Sequence, residues 1–313
     1  MMNKCYFCYE PTQSGLSYHT KCCKKFFGTA QLPELDLDEE ILSELARETV
    51  NNRIAITGVQ PKLSVNLETI KSKNRLTIVG LWGNYILKPQ SPERPAMPEV
   101  EDLTMHLAGY FKINTCDHAL IPTTNGEMAY LAKRFDRVNG KKVHVEDLCQ
   151  VGGFQTEQKY DSSYERCGKL IATYATHAQL EVINYFELLV FSFLSGNNDM
   201  HMKNFSLLHS GNDNKISLSP AYDLINATLI NPKDQEDTAL LLNGKKKKIG
   251  FKDFEKLSTT LGIRENVVTR IIKKFSAATP SVNLLIDKSF LSEAHKSDYK
   301  KLWAERLERL NNV

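Results

Sequence analysis

The chain has 313 residues, of which 42% are hydrophobic and 25% charged, an ordinary globular composition with enough length for one large domain or two lobes. The formal net charge is only +3, so bulk charge gives no argument for binding to nucleic acid or to a membrane surface. No apolar run reaches the roughly 18 residues of a membrane span, and the first residues lack the apolar core of a signal peptide, so we expect a cytoplasmic protein whose seven cysteines stay reduced.

The first 30 residues form a cysteine-rich head. Cys5 and Cys8 are three positions apart, and so are His19 and Cys22. Cys and His pairs at this spacing are typical of a tetrahedral zinc site, and the binding energy of the metal would let so short a segment fold. Two alternatives stay open. Cys23 is a rival ligand, and reduced cysteines also pack as small apolar side chains against aromatic neighbours.

Short strands and two helices are predicted from residue 31 to residue 137, the expected N-lobe. The acidic stretch 34–40 suits the N-terminus of a helix that continues through Leu45. After it come apolar runs with polar turns, which indicate antiparallel strands, and one segment with helical spacing. The predicted strands cover residues 54–58, 63–67, 76–79, 85–88 and 127–135, and the second helix covers residues 99–111.

Residues 138–313 are predicted to be mainly helical and to form the C-lobe. The helix at 180–194 is apolar nearly all round, so we expect it to be buried. A polar loop follows it, then a hairpin of strands 205–208 and 216–218, and further helices after residue 250. The expected fold class is therefore α+β, with a small strand-rich N-lobe and a larger, mostly helical C-lobe.

The polar loop after the buried helix carries the residues that suggest a reaction. Asp199 and Asn204 have the Asp-x4-Asn spacing of the protein-kinase catalytic loop, and Asp223 follows directly after the hairpin. Phosphoryl transfer needs a carboxylate that accepts the proton of the attacking hydroxyl, and oxygen ligands for Mg²⁺. We therefore expect Asp199 to be the catalytic base, with Asn204 and Asp223 as metal ligands. Lys203 would neutralise charge on the transferred phosphate.

An ATP-dependent kinase also needs a cation on an N-lobe strand. Lys88 ends the predicted strand 85–88, and Glu101 in the next helix is its expected ion-pair partner, with Asp102 as the alternative. No G-x-G-x-x-G phosphate loop is present. A segment with a single glycine takes its place, and its expected phosphate-binding residues are Thr57, Gly58, Val59, Gln60 and Lys62.

Together these residues resemble the HipA family of bacterial toxin serine/threonine kinases, in its short HipT-like form. The matching segments occur in family order: ITGVQPK (56–62), ILK (86–88), PEVE (98–101), KRFDR (133–137), DMHMKNFS (199–206) and YDL (222–224). The resemblance implies a two-lobed kinase that uses ATP and Mg²⁺, an aminoacyl-tRNA synthetase as target and a helix-turn-helix antitoxin as partner. It also implies that the hinge near adenine and other nucleotide contacts fall on Lys133, Arg134, Phe135, His201, Lys203 and Tyr222.

Two departures from the family pattern matter. Full-length HipA kinases carry an extra N-terminal subdomain of about 100 residues, whereas about 50 residues precede Thr57 here, so we expect a separate small protein to supply the missing piece. The phosphate loop of relatives often reads Ser-Ile-Ser or Ser-Ile-Ala before its glycine, and here it reads Ala55-Ile56-Thr57. Relatives phosphorylate this loop on themselves. We expect autophosphorylation on Thr57, where about −1.5 to −2 added charges would repel ATP.

Two other functions fit the same residues. A small-molecule kinase would use the same catalytic constellation. A binding module with a zinc head and an inactive kinase-like lobe is the second alternative, although an inactive lobe need not keep the whole set of charged residues. We expect no membrane contact and no direct binding of nucleic acid.

Overall fold

The computed structural model describes residues 3–13, 15–35, 62–70, 73–79, 82–91, 93–138, 140–210 and 213–311. The predicted helix through Leu45, the predicted strand 54–58 and the residues Thr57, Gly58, Val59 and Gln60 lie outside this part of the chain. Two compact units are present. Unit 1 comprises Met1–Asp102, Cys116–Arg134 and Lys288–Phe290, and unit 2 comprises Leu103–Thr115, Phe135–Asp287 and Leu291–Val313.

Unit 1 contains a five-stranded antiparallel sheet. Its strands are β1 Leu63–Ile70, β2 Lys73–Ile78, β3 Tyr85–Lys88, β4 His118–Pro122 and β5 Met128–Lys133. They are arranged in the order β2-β1-β3-β5-β4, so β3 lies between β1 and β5. In this register Lys88 stands opposite Tyr130. Strand β3 has hydrogen-bonded neighbours on both sides as far as Leu87, so the direction of its side chains is fixed, and Lys88 at its end is paired with β5.

One helix of the cysteine-rich head completes the core of unit 1. Helix α1, Thr20–Phe27, ends at Gly28, whose φ of +79° is a left-handed conformation that glycine adopts without steric cost. Phe26 and Phe27 at its end pack with Tyr85 and Leu87 in one apolar cluster. Because successive side chains of a strand point to opposite faces, Tyr85 and Leu87 face α1 while Lys88 faces away from it.

Helix α2, Met97–Tyr110, contains the point where unit 1 gives way to unit 2. Unit 2 has a small sheet of β8 Val145–Asp147, β9 Ser206–His209 and β10 Ile216–Leu218, in the order β10-β9-β8. A short hairpin, β6 Arg137–Val138 and β7 Lys141–Lys142, precedes it. The remaining helices are α3 Leu148–Val151, α4 Tyr164–Tyr174, α5 Ala178–Leu194, α6 Ala227–Ile230, α7 Phe251–Thr260, α8 Glu265–Ala277, α9 Thr279–Lys288 and α10 Glu293–Asn311.

The core of unit 2 surrounds α5, and most side chains of this helix are buried, as its all-round apolar sequence predicts. Phe191 on α5 contacts Phe275 and Trp303, and Phe111 stacks on Trp303 with ring centroids 5.8 Å apart. Arg306 on α10 is 3% exposed and donates to the carbonyl of Phe193 at 2.6 Å. The C-terminal helix therefore holds the end of α5 in place, immediately before the polar loop.

The predicted elements that fall within the described residues agree closely with the structure. The helix expected at 99–111 is α2, the buried helix expected at 180–194 is α5, and the expected hairpin is β9 with β10. Among the described residues, every helix is too short or too polar to cross a bilayer.

Candidate active site

The polar loop starts with a forced turn. Helix α5 ends at Leu194, and Gly196 has a φ of +79°. A Cβ atom at this position would lie 2.4 Å from the side-chain oxygen of Asn226. Only glycine meets both conditions without strain, so the exit direction of the loop is fixed by the backbone.

Asp199 is an exposed residue in a loop whose neighbours are mostly buried. Its Oδ1 accepts a hydrogen bond of 2.8 Å from the hydroxyl of Tyr160. Burial, together with the charge of Asp199, raises the pKa of Tyr160 well above its usual value, so the phenol stays protonated and donates. The carboxylate is thus oriented by one neutral donor, while its exposure leaves it accessible to a substrate hydroxyl.

Asn204 is joined to the Asp199 segment through its amide. It lies in the 3₁₀ turn Met202–Asn204 and is 7% exposed. Its Nδ2 donates to the backbone carbonyl of Asp199 at 2.9 Å. Because the amide nitrogen is occupied in this way, Oδ1 is the atom of Asn204 that could accept a hydrogen bond or bind a metal ion.

Asp223 is held beside the same loop by the residue before it. The Tyr222 hydroxyl donates to the carbonyl of Lys203 at 2.8 Å, and Ser206 Oγ lies 2.6 Å from it. The backbone of Asp223 has a φ of +59°, a left-handed conformation that few non-glycine residues adopt and that recurs at functional sites. The chain therefore turns sharply at this carboxylate.

His201 is a buried histidine whose pKa is influenced by both carboxylates. It is 7% exposed, and its ring packs edge-on to Tyr160 with centroids 5.0 Å apart. Burial lowers the pKa of His201 to about 4, while the charges of Asp199 and of Asp223 both act to raise it. The hydrogen bonds of Asn204 and Tyr222 to backbone carbonyls of the loop bring residues 199, 204 and 222 into one neighbourhood of unit 2, and Asp223 follows Tyr222 directly.

Lys203 is paired with a residue that the motifs of the sequence do not indicate. Its Nζ lies 2.8 Å from Oδ2 of Asp147, and its side chain is 34% exposed. Asp147 also caps α3, because its side chain accepts from the backbone N–H of Gln150. Asp147, the N-cap residue of α3, therefore holds the ammonium of Lys203 in place. A phosphate that binds Lys203 would share this ammonium with Asp147.

Unit 1 contains a buried ion pair at the end of β3. Lys88 Nζ lies 2.5 Å from Oε1 of Glu101, with Lys88 4% and Glu101 1% exposed. The ammonium also lies 5.3 Å from the centre of the Tyr130 ring. Asp102, the alternative partner, instead accepts from Tyr9 and lies 2.7 Å from Nδ1 of His118.

The remaining predicted nucleotide contacts are spread along the chain. Lys62 is exposed just before β1, and Lys133 ends β5. The boundary between the two units falls between Arg134 and Phe135. Phe135 packs against Tyr222, with ring centroids 5.6 Å apart, so this residue is tied to the segment that carries Asp223.

A second group of potential metal ligands lies in the head. The ligand atoms of Cys5, Cys8, His19 and Cys22 all lie within 4.8 Å of one another. Cys23, the rival ligand, belongs instead to the apolar cluster beneath α1. The structure therefore groups the four residues whose spacing predicts a zinc site.

Two contacts of the candidate site had no signal in the sequence. Tyr160 and Asp147 orient Asp199 and Lys203 from 39 and 56 residues away. The pattern Asp147-x2-Gln150 could have indicated a helix start, but nothing in it indicates the lysine. In chemical terms, unit 2 gathers an exposed carboxylate, an amide oxygen and a second carboxylate, a set that suits a hard cation and a hydroxyl nucleophile.

Comparison with known proteins finds a matching family model and relatives that are named as kinases. A family model described as the HipA-like C-terminal domain matches residues 54–282. A Haemophilus influenzae protein named "Putative kinase" is 27% identical over 287 residues, which cover 82% of each chain. The Sinorhizobium fredii protein "Putative kinase Y4dM" is 34% identical over 226 residues, 68% of this chain and 53% of that relative, so the chain spans about half of its length.

Two solved structures share the fold. The chain matched in the Shewanella oneidensis MR-1 toxin–antitoxin complex of HipA, HipB and operator DNA has a TM-score of 0.69 at 20% identity, with 87% of this chain and 71% of that chain covered. The Helicobacter pylori proinflammatory kinase CtkA has a TM-score of 0.53 at 15% identity, with 79% and 93% covered. The predicted α+β kinase-like fold and the resemblance to HipA are confirmed.

Proposed function

The chain belongs to the HipA-like C-terminal domain family, and from this premise we propose that it is an Mg-ATP-dependent kinase that phosphorylates a serine or threonine of a protein. One observation carries the proposal: the Asn204 amide donates to the Asp199 carbonyl while the Tyr222 hydroxyl donates to the Lys203 carbonyl. These two bonds hold the segments of Asp199, Asn204 and Asp223 together, which supports a donor set of the kind that phosphoryl transfer requires. Kinase relatives and kinase-like fold neighbours support the reaction class.

Each residue has a distinct role in the proposed reaction. ATP, when bound, supplies the γ-phosphoryl group, and Mg²⁺ neutralises the charge that develops on it. The substrate hydroxyl oxygen forms the new bond to phosphorus, the bond to the ADP oxygen breaks, and Asp199 accepts the hydroxyl proton. Asn204 Oδ1 and Asp223 would hold the metal ion. Lys88, held by Glu101, aligns the phosphates of the nucleotide.

The family resemblance supports a more specific target and partner. The target proposed is an aminoacyl-tRNA synthetase, and the partner is a DNA-binding antitoxin with a helix-turn-helix. The solved Shewanella oneidensis complex contains HipA together with HipB and operator DNA, which supports an antitoxin partner here. Such a partner would supply the DNA contact, in keeping with the net charge of only +3 on this chain.

Autophosphorylation on Thr57 is the regulatory part of the proposal. A phosphate there adds about −1.5 to −2 charges and would oppose the binding of ATP phosphates. Mass spectrometry after incubation with Mg-ATP should find the phosphate on Thr57 in the wild type. Phosphate on other residues, with none on Thr57, would contradict this part alone.

The test of the function is transfer of label from γ-labelled ATP to proteins of a cell lysate. Wild type should label a protein band, Asp199→Ala should not, and Asp199→Ala should still bind ATP. Asp213→Ala is the matched control, because Asp213 is an exposed carboxylate near the turn between β9 and β10 and, within the described part of the chain, pairs with its local neighbours Lys215 and Ser210. Label only in small molecules would favour a small-molecule kinase, and ATP binding without any transfer would favour an inactive binding module. Mass spectrometry of the labelled band identifies the target.

A further inference from the structure

The four-residue group in the head has the dimensions of a zinc site. Zn–S bonds of about 2.3 Å and Zn–N bonds of about 2.0–2.1 Å give a tetrahedron with edges of about 3.8 Å between sulfurs and about 3.6 Å between sulfur and nitrogen. Here Cys22 Sγ lies 3.9 Å from Cys8 Sγ, and His19 Nδ1 lies 3.4 Å from Cys8 Sγ and 3.8 Å from Cys22 Sγ. The three edges that join Cys8, His19 and Cys22 match the expected ones within a few tenths of an ångström, and Cys5 Sγ lies within 4.8 Å of each of the other ligand atoms.

A second observation suits His19 as a metal ligand. The outer ring nitrogen of His19, Nε2, lies 3.0 Å from the carbonyl oxygen of Pro11. This nitrogen must carry the proton to form that bond, so Nδ1 is left with its lone pair towards the sulfurs. Metal-bound histidines almost always donate their other N–H in this way. The backbone N–H of His19 also points at Cys5 Sγ, at 3.4 Å, which suits a thiolate.

A disulfide and simple apolar packing both fit the cluster less well than a metal does. A disulfide needs a sulfur separation of about 2.05 Å, and the 3.9 Å between Cys8 and Cys22 excludes one in this conformation. Apolar packing describes Cys23, which lies in the cluster with Phe26 and Phe27. Neighbouring residues of a helix point about 100° apart, so Cys22 faces the group of four while Cys23 faces the core.

The head is also joined to the strand and helix that hold the buried ion pair of unit 1. Phe7, between Cys5 and Cys8 in sequence, packs against Phe26 and Phe27, and both of these contact Tyr85 on β3. These contacts cover the face of β3 opposite to Lys88. On the other side of the head, the hydroxyl of Tyr9 donates to Asp102 at 2.6 Å, and Asp102 is the residue after Glu101.

We propose that Cys5, Cys8, His19 and Cys22 bind one structural Zn²⁺, and that this metal holds the head against the sheet of unit 1. Three thiols lose their protons on binding and the imidazole stays neutral, so the site with its metal carries about one negative charge. No ligand position is left for water, which is typical of structural sites and not of catalytic ones. The metal therefore supports the placement of Lys88 and Glu101 without taking part in the reaction.

The test is metal analysis of the full chain purified without chelator. Wild type and Cys23→Ser should both contain one zinc per chain, and Cys22→Ser should contain none. Absence of metal from the wild type, bound iron in place of zinc, or equal zinc loss in Cys22→Ser and Cys23→Ser would overturn the site. Should Cys22→Ser fail to fold, cobalt exchanged into the wild type decides the matter, because thiolate-to-cobalt absorption with tetrahedral ligand-field bands is expected and octahedral bands would contradict it.

The structural role has a separate readout. Removal of zinc from the wild type by a strong chelator should lower the thermal unfolding temperature and raise hydrogen exchange in β3. If removal of the metal changes neither the unfolding temperature nor the hydrogen exchange, the link between metal and sheet is contradicted. The metal site itself would still stand. None of these measurements uses phosphoryl transfer, so their outcome is independent of the proposed kinase activity.

Discussion

Replacement of Lys88 by methionine should destabilise unit 1 as well as remove activity. Methionine keeps most of the stem but leaves the carboxylate of Glu101, 1% exposed, without the ammonium that lies 2.5 Å from it. Removing one partner of a buried pair costs about 3–5 kcal/mol. At about 2–4 °C per kcal/mol for a domain of this size, the unfolding temperature should fall by about 10 °C. Circular dichroism measures the melt, and hydrogen exchange localises the loss to β3.

A second variant separates the structural role of the pair from its role in the reaction. In Lys88→Met/Glu101→Gln neither partner of the pair carries a charge, so most of the lost stability should return, but phosphoryl transfer should not. Lys73→Met is the matched control, because Lys73 pairs with Glu34 at 3.1 Å on the surface, with side chains 69% and 48% exposed, and such pairs contribute about 0–1 kcal/mol. Equal unfolding temperatures for Lys88→Met and Lys73→Met would refute the reasoning, as would transfer activity in the double variant.

Three further substitutions test the loop and the contacts that support it. Gly196→Ala forces a left-handed conformation on alanine and sets its Cβ against Asn226. Denaturant titration should therefore show a free energy of unfolding lower by about 2–4 kcal/mol. An unchanged free energy of unfolding would contradict the claim that this turn requires glycine. Arg306→Met removes the buried guanidinium that donates to the carbonyl of Phe193, so unfolding should be easier by about 1–3 kcal/mol. Unchanged stability would mean that the contact adds nothing. Tyr160→Phe removes the donor to Asp199, so kcat should fall about tenfold while the affinity for ATP stays unchanged. A tenfold rise in KM for ATP would instead indicate that Tyr160 contacts the nucleotide.

The candidate catalytic loop could be predicted from the sequence because its signal is local. Asp199 and Asn204 are five positions apart after a buried helix, and the structure adds a direct hydrogen bond between the Asn204 amide and the Asp199 backbone. Tyr160 could not be found, because its contact with Asp199 spans 39 positions and depends on the packing of several helices. The sequence favoured Glu101 as the partner of Lys88 but left Asp102 open as the alternative, since one helical step separates them and only the tertiary structure decides which carboxylate faces the lysine.

In the head, too, the local pattern could be predicted from the sequence and the tertiary packing could not. The spacing of Cys5, Cys8, His19 and Cys22 is a local pattern, and it predicted the group that the structure assembles. The place of Cys23 was left open, because an adjacent cysteine has the same chemistry, and its direction follows from the burial of Phe26 and Phe27 beneath the sheet. That packing joins residues about 60 positions apart, with no periodic pattern to indicate it.

The most direct test of the proposed metal site is the binding of Mn²⁺, a paramagnetic substitute for Mg²⁺, to the chain with a non-hydrolysable ATP analogue. We expect Asn204→Leu and Asp223→Asn each to weaken the binding of Mn²⁺ at least about tenfold, while Asp213→Asn leaves it unchanged. Electron paramagnetic resonance measures the free and bound metal. Wild-type affinity for Mn²⁺ in both Asn204→Leu and Asp223→Asn would contradict the claim that these two side chains hold the metal.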